Sequence, residues 1–206
     1  LGQQYKWAHI DIASAHPQVL SVSGWNAKLF SDKPINFDQL KGVQENMLIH
    51  LENNGYPFAK IFLDSISLNG DSVNASLMID KGPFYKIDSI RVYGNAKISN
   101  SFLQHYLDIP NGSVYNREKL LRISKKISEL SFVEEEQPSN MSLLGTGSVL
   151  NLYLKPRRSS QVNAIIGFLP NNDQLSSKKL LITGEANINL QNAFGGGEAL
   201  GLNWQQ

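Results

Sequence analysis

The sequence predicts an α+β fold, with two tandem copies of one small module followed by antiparallel strands of the kind that cross membranes. Two observations lead to this prediction. A helix cap, an apolar helical stripe and a β-hairpin recur in the same order after a repeat of roughly 75–80 residues. The end of the chain then changes to an alternation of apolar and polar residues, which is typical of strands with one covered face.

Composition excludes several classes of function. The chain has 206 residues, 41% of them hydrophobic, and a formal net charge of +1. This balance gives no electrostatic footprint for nucleic acid and no polybasic membrane anchor. Because cysteine is absent, disulfide frameworks, thiolate metal sites and cysteine nucleophiles are excluded. No apolar run of about 18 residues predicts a transmembrane helix. Since the chain opens without Met, we expect it to be a fragment of a longer protein.

The clearest helix is predicted at residues 37–53. Asn36 is suited to cap its N-terminus, and Gln39 is placed to complete a capping box. Apolar residues recur every three or four positions and predict one buried stripe: Phe37, Leu40, Val43, Met47 and Leu51. Gly55 is expected to end the helix, since glycine readily adopts the left-handed conformation.

A β-hairpin follows this helix. A strand at residues 58–68 leads to the tight turn Asn69-Gly70, and residues 73–79 then alternate as a second strand. A first strand is expected at residues 5–12. The pattern gives residues 17–32 no assignment.

The second module has the same order. A strand at residues 85–93 precedes a short helix capped by Ser99. Asn116 caps a second helix, whose apolar stripe is Leu120, Ile123, Ile127 and Leu130. This stripe aligns with that of the first module, since residues 35–40 match residues 115–120 in cap and spacing.

The second module ends in a hairpin of its own. Its strands are expected at residues 132–137 and 149–155, joined by a loop that contains Pro138. Each module is small, so we expect the two to support each other at their joint near Gly82-Pro83.

The last part of the chain is expected to form the first strands of a truncated β-barrel. Residues 180–191 have about the length of a tilted membrane strand, roughly 9–11 residues. An earlier strand is predicted at residues 161–169, and a third follows the turn at residues 192–197. Three strands cannot close a barrel, so we expect the sequence to continue. The side expected to face lipid is apolar: Leu180, Ile182, Ile188, Leu190, Leu200, Leu202 and Trp204.

These features together resemble the POTRA (polypeptide-transport-associated) domains and adjoining barrel of the bacterial surface antigen superfamily, the BamA- and TamA-like barrel-assembly proteins. The second module carries the pattern best, with IDSIRVYGN at residues 87–95 and GSVYN at residues 112–116. The first module shares GYPFA at residues 55–59, and residues 183–198 are similar to the opening barrel strands of this superfamily. The resemblance implies POTRA modules of β-α-α-β-β order at residues 1–82 and 83–158, and barrel strands at residues 159–206.

The resemblance implies a barrel in the outer membrane, with POTRA modules in the periplasm and no cofactor, metal or catalysis. Such proteins assemble or insert other barrels, and the expected partners are unfolded outer-membrane protein precursors, accessory lipoproteins and outer-membrane lipid. Clients would bind by β-augmentation, in which an extended segment adds to an exposed sheet edge. The first strand of each closing hairpin is the implied edge, with candidate client-binding residues Phe58, Lys60, Phe62, Phe132, Glu134 and Glu136.

Other interpretations remain open at this point. A related barrel could secrete one dedicated polypeptide by two-partner secretion, and a soluble adhesin or carbohydrate-binding β protein would show similar alternation. The acidic run at residues 134–136 is more typical of a solvated strand end than of a docking patch. The glycines at residues 195–197 favour a turn, since a phosphate loop needs a following helix. The four histidines show no ligand spacing.

Overall fold

The computed structural model describes residues 4–12, 17–145, 147–170 and 180–206. Its element order bears out the predicted α+β class, with two mixed four-stranded units and a third, antiparallel sheet. No helix among these residues is long and apolar enough to cross a membrane.

The first module folds around one four-stranded sheet of order β2-β1-β4-β3. In this sheet β1 pairs in parallel with β4, and β3 pairs with β4 as an antiparallel hairpin. Residues 17–32, which the pattern left unassigned, contain a helix and a 3-10 turn. The elements are β1 (Lys6–Asp11), α1 (Pro17–Ser23), the 3-10 turn Ala27–Leu29, β2 (Lys33–Pro34), α2 (Phe37–Asn53), β3 (Lys60–Asn69) and β4 (Ser72–Asp80).

Helix α2 begins and ends where its sequence predicts. The Asn36 side chain accepts a hydrogen bond from the Gln39 amide at 3.1 Å, which satisfies one free N–H of the first turn. Four of the five stripe residues are buried in the core with strands β1 and β4: Leu40, Val43, Met47 and Leu51. The prediction for Phe37 is wrong, since its side chain is 68% exposed and lies edge-on to Trp7.

The second module has the equivalent sheet order β6-β5-β8-β7. Ser99 caps α3 as predicted, accepting from the Phe102 amide at 3.2 Å. The predicted second helix is interrupted at Arg122, although its stripe residues Ile123 and Ile127 are buried. The elements are β5 (Lys86–Tyr93), α3 (Asn100–Leu107), β6 (Ser113–Val114), α4 (Arg117–Leu121), α5 (Ile123–Ser128), β7 (Val133–Leu144) and β8 (Gly147–Pro156).

Strand β7 is longer than the sequence suggested. The predicted strand stops at Gln137 before a loop, whereas the structure continues through Pro138 to Leu144. Proline has no N–H for a sheet ladder, but an edge strand tolerates it where the missing donor would face outward. Because β7 is an edge in the described sheet, the extension is physically consistent.

The third sheet is antiparallel, with order β11-β10-β9. Its strands β9 (Gln161–Pro170), β10 (Leu180–Gln191) and β11 (Ala199–Gln205) confirm the three strands predicted for the tail.

Contacts divide the chain into two compact units with interleaved segments. The first comprises Leu1–Asp88, Gly112–Leu121 and Leu143–Ser148, and contains the whole first module. The second comprises Ser89–Asn111, Arg122–Ser142 and Val149–Gln206, and contains the third sheet. The proposed module limits at residues 82 and 158 stay predictions.

Candidate functional site

Strand β3 forms one border of the first sheet, with no further strand beyond it in the described chain. Its first half alternates, since Ile61 and Leu63 pack against the core while Lys60 and Phe62 are exposed. Of the candidate client-binding residues, Lys60 and Phe62 therefore lie on the edge strand. Phe58 precedes it, and its ring lies 5.6 Å from that of Tyr85, edge to face.

The second half of β3 is apolar and exposed. The register with β4 shifts between Asp64 and Ser67, and the side chains of Ile66 and Leu68 are 63% and 60% exposed. They line an apolar groove of about 520 Å³ together with Gln4, Tyr5, Trp7, Ile35, Phe37, Leu63 and Val73. Such a border offers backbone groups and apolar contact area together.

Strand β7 forms the corresponding border of the second sheet, with different chemistry. Glu134 and Glu136 lie exposed on the strand as predicted. Glu134 forms an ion pair with Lys155, whose Nζ lies 2.8 Å from Glu134 Oε1. The hydrogen bond and charge of Lys155 lower the pKa of Glu134. Phe132 precedes the strand and is 8% exposed, so its ring is not available at the edge.

Two backbone N–H groups of β7 are unavailable to an added strand. Pro138 has no N–H, and the amide of Ser139 donates to the Glu135 carboxylate at 3.0 Å. The neighbouring strand β8 contributes the buried Asn151, whose amide donates to Asn140 Oδ1 at 2.9 Å and to Ser142 Oγ at 2.8 Å. The sequence does not predict the distal half of β7, because a proline such as Pro138 normally marks the end of a strand.

The end of α2 joins the first module to the start of the second. The Tyr85 amide donates to the Gly55 carbonyl at 2.8 Å, and Asn116 Nδ2 donates to the Asn53 carbonyl at 3.0 Å. Asn53 Oδ1 also accepts from the Glu118 amide at 2.9 Å. Asn116 thus caps α4 and holds the preceding module, a second role that the cap pattern alone does not reveal.

The joint also contains charged and aromatic contacts. Arg117 Nε lies 3.3 Å from Glu52 Oε2. Burial, followed by the charge of Glu52, raises the pKa of the neighbouring Tyr115. Gly55 has a φ of +97°, and a Cβ on it would lie 2.2 Å from the Phe84 ring. No residue larger than glycine fits there without displacing that ring.

The third sheet has one wholly apolar face. Residues opposite each other in an antiparallel pair share a face, so the register assigns each strand's sides. Ile188 pairs with Val162 and Leu202, and Ala186 pairs with Ala164 and Trp204. The same face contains Ile166, Phe168, Ile182, Gly184, Leu190 and Leu200. The opposite face is mainly polar but includes the exposed Ile165; its other described members include Asn163, Thr183, Glu185, Asn187, Asn189, Gln191 and Asn203.

The predicted lipid-facing residues lie together on this apolar face. Ile182, Leu200, Leu202 and Trp204 are 42–62% exposed, and Ile188 and Leu190 are partly buried. Leu180 is in register on the same face, but its side chain lies outside the described residues. The Trp204 ring lies over Gly184, where a Cβ would come within 2.8 Å of it. A large side chain at position 184 would displace the indole.

The turn between β10 and β11 packs on the loop before α3. Asn192 Nδ2 donates to the Lys97 carbonyl at 2.7 Å, and the Ser99 amide donates to the Gly195 carbonyl at 2.8 Å. Within the turn, Glu198 accepts from the backbone amides of Phe194 and Gly196, and these bonds lower its pKa. The glycines therefore form a turn, as the sequence predicts, and these hydrogen bonds hold it in place.

Histidines do not assemble a metal site in the described chain, where no group of three His, Cys, Asp or Glu residues could hold an ion. His9, His50 and His105 lie on separate elements, and His16 lies outside the described residues.

Comparison with known proteins identifies the second module. Residues 85–136 match the family model for POTRA, described as the surface antigen variable number repeat. A comparison with curated proteins found no match. The matched part runs from the start of β5 into the edge strand β7, so the second module is similar to POTRA over most of its elements.

Solved structures share the fold. The chain is similar to BamA from Haemophilus ducreyi lacking POTRA domains 1–3, with 18% identity and a TM-score of 0.60 over 98% of this chain and 37% of that one. It is also similar to POTRA domains 3–5 of Haemophilus influenzae BamA, with 16% identity and a TM-score of 0.51 over 75% of this chain and 68% of that one. The chain spans just over a third of the length of the H. ducreyi structure.

Proposed function

From a chain whose second module is similar to POTRA and which shares the fold of BamA structures, we propose that it belongs to an outer-membrane protein that assembles or inserts β-barrel proteins. Residues 1–158 are its periplasmic POTRA region, and residues 159–206 begin its barrel. Its partners are unfolded outer-membrane protein precursors, with outer-membrane lipid and accessory lipoproteins around it. The role is binding and transfer, without a cofactor.

One observation carries the binding role: the first strand of each closing hairpin is the border of its sheet. Border strands present backbone N–H and C=O groups to an added strand. An extended client gains affinity from those backbone bonds with little dependence on its sequence, which suits many clients. Of the candidate residues, Lys60, Phe62, Glu134 and Glu136 lie on these strands, and Phe58 and Phe132 flank them.

The membrane role is supported by the third sheet. Water-exposed sheets rarely leave one face entirely apolar, whereas membrane strands alternate an apolar outer side with a polar lumen side. All six described lipid-facing candidates lie on one face by register, and the opposite face is mainly polar, with asparagines and Glu185 around the exposed Ile165.

The client-binding proposal is tested by site-specific photocrosslinking in cells that express the full-length protein. A photoreactive residue at Phe62 or Glu134 should crosslink to several nascent outer-membrane proteins. The matched control is Lys41, which is exposed on α2 and belongs to neither border strand. Equal crosslinking at Lys41 and at both borders would contradict the proposal, and crosslinks to one partner polypeptide alone would indicate a dedicated secretion system.

The membrane proposal is tested by depth-dependent quenching. The chain has no cysteine, so a single cysteine introduces one fluorophore at a chosen position. A label at Leu202→Cys should be quenched by lipids with quenchers in their acyl chains, and a label at the neighbouring Asn203→Cys should not. Equal quenching at both positions would overturn the assignment of lipid and lumen faces.

A further inference from the structure

A cavity of about 440 Å³ lies where the second module meets the ends of the first barrel strands. All of its lining belongs to the second compact unit. Its walls are the loop Asn95–Ile98, the start of β7, the linker that follows β8, and Gln191 with Asn192 at the end of β10.

Hydrogen bonds hold these walls in place. The Gln191 amide donates to Ser160 Oγ at 3.1 Å, and Asn192 Nδ2 donates to the Lys97 carbonyl at 2.7 Å. The Arg157 amide donates to the Phe132 carbonyl at 2.9 Å. Each bond joins two different walls, so the cavity is part of the fold of this unit.

The lining is positively charged. Lys97, Arg157 and Arg158 line the cavity, and no Asp or Glu does so among its described residues. In the described chain none of these three cations forms a salt bridge. Glu134 is the nearby acid, since Arg157 helps to lower its pKa, but its main partner is Lys155. Lys97 and Arg158 therefore supply charge that no described acid neutralises through an ion pair.

Hydroxyl groups add donors to the same lining. Ser160 Oγ accepts from the Gln191 amide, so its own proton is free to be donated. Ser159 also lines the cavity. Two guanidinium groups, an ammonium and two hydroxyls are donors that suit the oxygens of a phosphate, because charge-assisted bonds to phosphate are short and strong.

The position selects the source of the phosphate. The cavity lies beside Ser160 and Gln191, next to the ends of strands β9 and β10, where the apolar face begins with Val162 and Leu190. In a membrane strand this transition marks the boundary between acyl chains and headgroups. We propose that the cavity binds the phosphate of an anionic phospholipid headgroup and thereby holds the second module against the membrane. This inference rests on the membrane role proposed above.

The test measures partitioning of the full chain, labelled at Leu202→Cys, into phosphatidylcholine vesicles with or without phosphatidylglycerol. The added anionic lipid should raise the partition coefficient roughly 25-fold, since Lys97 and Arg158 are two cations and each surface cation near anionic lipid contributes about fivefold. Lys97→Gln with Arg158→Gln should remove most of this gain. The control Lys41→Gln with Lys125→Gln removes two exposed cations elsewhere and should retain it.

The possible outcomes distinguish the proposed headgroup site from the proposed membrane role. Equal loss in the cavity variant and the control would overturn the headgroup site, because general surface charge would then explain the gain. Inorganic phosphate should act only as sodium chloride of the same ionic strength does, and specific competition would assign the cavity to a soluble phosphate instead. Failure of the label to report insertion into either kind of vesicle would overturn the membrane role. Insertion into both kinds with no gain from the anionic lipid would overturn the headgroup site alone.

Discussion

The border strands β3 and β7 occupy equivalent places in two sheets of the same topology, yet they present opposite chemistry. β3 exposes Phe62, Ile66 and Leu68, and its register shift leaves its second half beside an apolar groove. β7 presents an acidic run, Pro138 has no N–H, and the Ser139 amide is already bonded to the Glu135 carboxylate. Topology alone therefore does not make a client site. A border strand must also offer apolar contact area and backbone donors, and β3 offers the larger apolar area.

The largest effect is expected at the joint, which both modules share. Gly55→Ala introduces a Cβ 2.2 Å from the Phe84 ring at a φ of +97°. Backbone strain and overpacking together should lower the free energy of unfolding by about 2–5 kcal/mol. Urea unfolding measures this change.

The control for this change is Gly70→Ala. Gly70 also has positive φ, at +64°, but a Cβ there meets nothing within 4 Å. It should cost only the backbone strain, about 1–2 kcal/mol. Equal losses in the two variants would show that Phe84 does not pack tightly against the joint.

The next effect tests β3 as the main client strand. Phe62→Glu with Ile66→Glu puts charge on an apolar border and should weaken capture of an unfolded barrel precursor roughly a hundredfold or more, because burial of each side chain contributes about 1.5–3 kcal/mol. Fluorescence titration with a labelled precursor measures the affinity. Val22→Glu with Ile49→Glu changes equally exposed apolar residues on helices and should leave capture unchanged. A similar loss in that control would mean that charge anywhere on the module weakens capture.

A smaller effect should come from opening β7. Pro138→Thr restores an N–H, and Glu135→Ala frees the Ser139 amide. Crosslinking from a photoreactive residue at Glu136 should rise about fivefold, roughly what one added hydrogen bond of about 1 kcal/mol provides, because only one of two successive N–H groups can face an added strand. Glu45→Ala, an exposed acid on α2, is the matched control. No increase at β7 would show that its charge, and not its missing donors, keeps clients away.

The sequence predicts most of the fold because its strongest signals are local and periodic. Asn36 and the stripe of α2 locate that helix to the residue, and the alternation of residues 180–191 locates β10 equally well. Helix α1 was missed because its seven residues are too few to show a helical period. The sequence predicts too short a strand for β7 because proline normally interrupts strands. Proline is tolerated here because β7 lies at the edge of its sheet, and that position is a tertiary property.

The candidate site was less predictable than the fold. Residue type identified Phe58 and Phe132 as edge residues, but the structure places both before their strands, one against Tyr85 and the other buried. The turn between β10 and β11 forms hydrogen bonds with Lys97 and Ser99. These bonds join residues about 95 positions apart, which no local pattern can reveal. The faces of the third sheet were predictable because the two-residue period of a strand assigns alternate side chains to opposite faces.

The smallest effect concerns pH. Protonation of Glu134 in acid removes a charge from β7 and so makes this border more like the apolar border β3. Lys155 holds the pKa of Glu134 below its usual value near 4.5. A carboxylate with a lowered folded pKa contributes stability that is complete above the unfolded pKa and lost as pH falls through the folded one. Thermal unfolding of the wild type and Glu134→Gln should therefore converge as pH falls from about 7 to below about 4. The pKa of Glu198 is also lowered, but Glu198 is present in both proteins, so its contribution cancels when their stabilities are compared. Because the pair is exposed, the gap should be small and should shrink in salt. A gap that persists in acid would mean that Glu134 stabilises β7 through packing contacts and not through its charge.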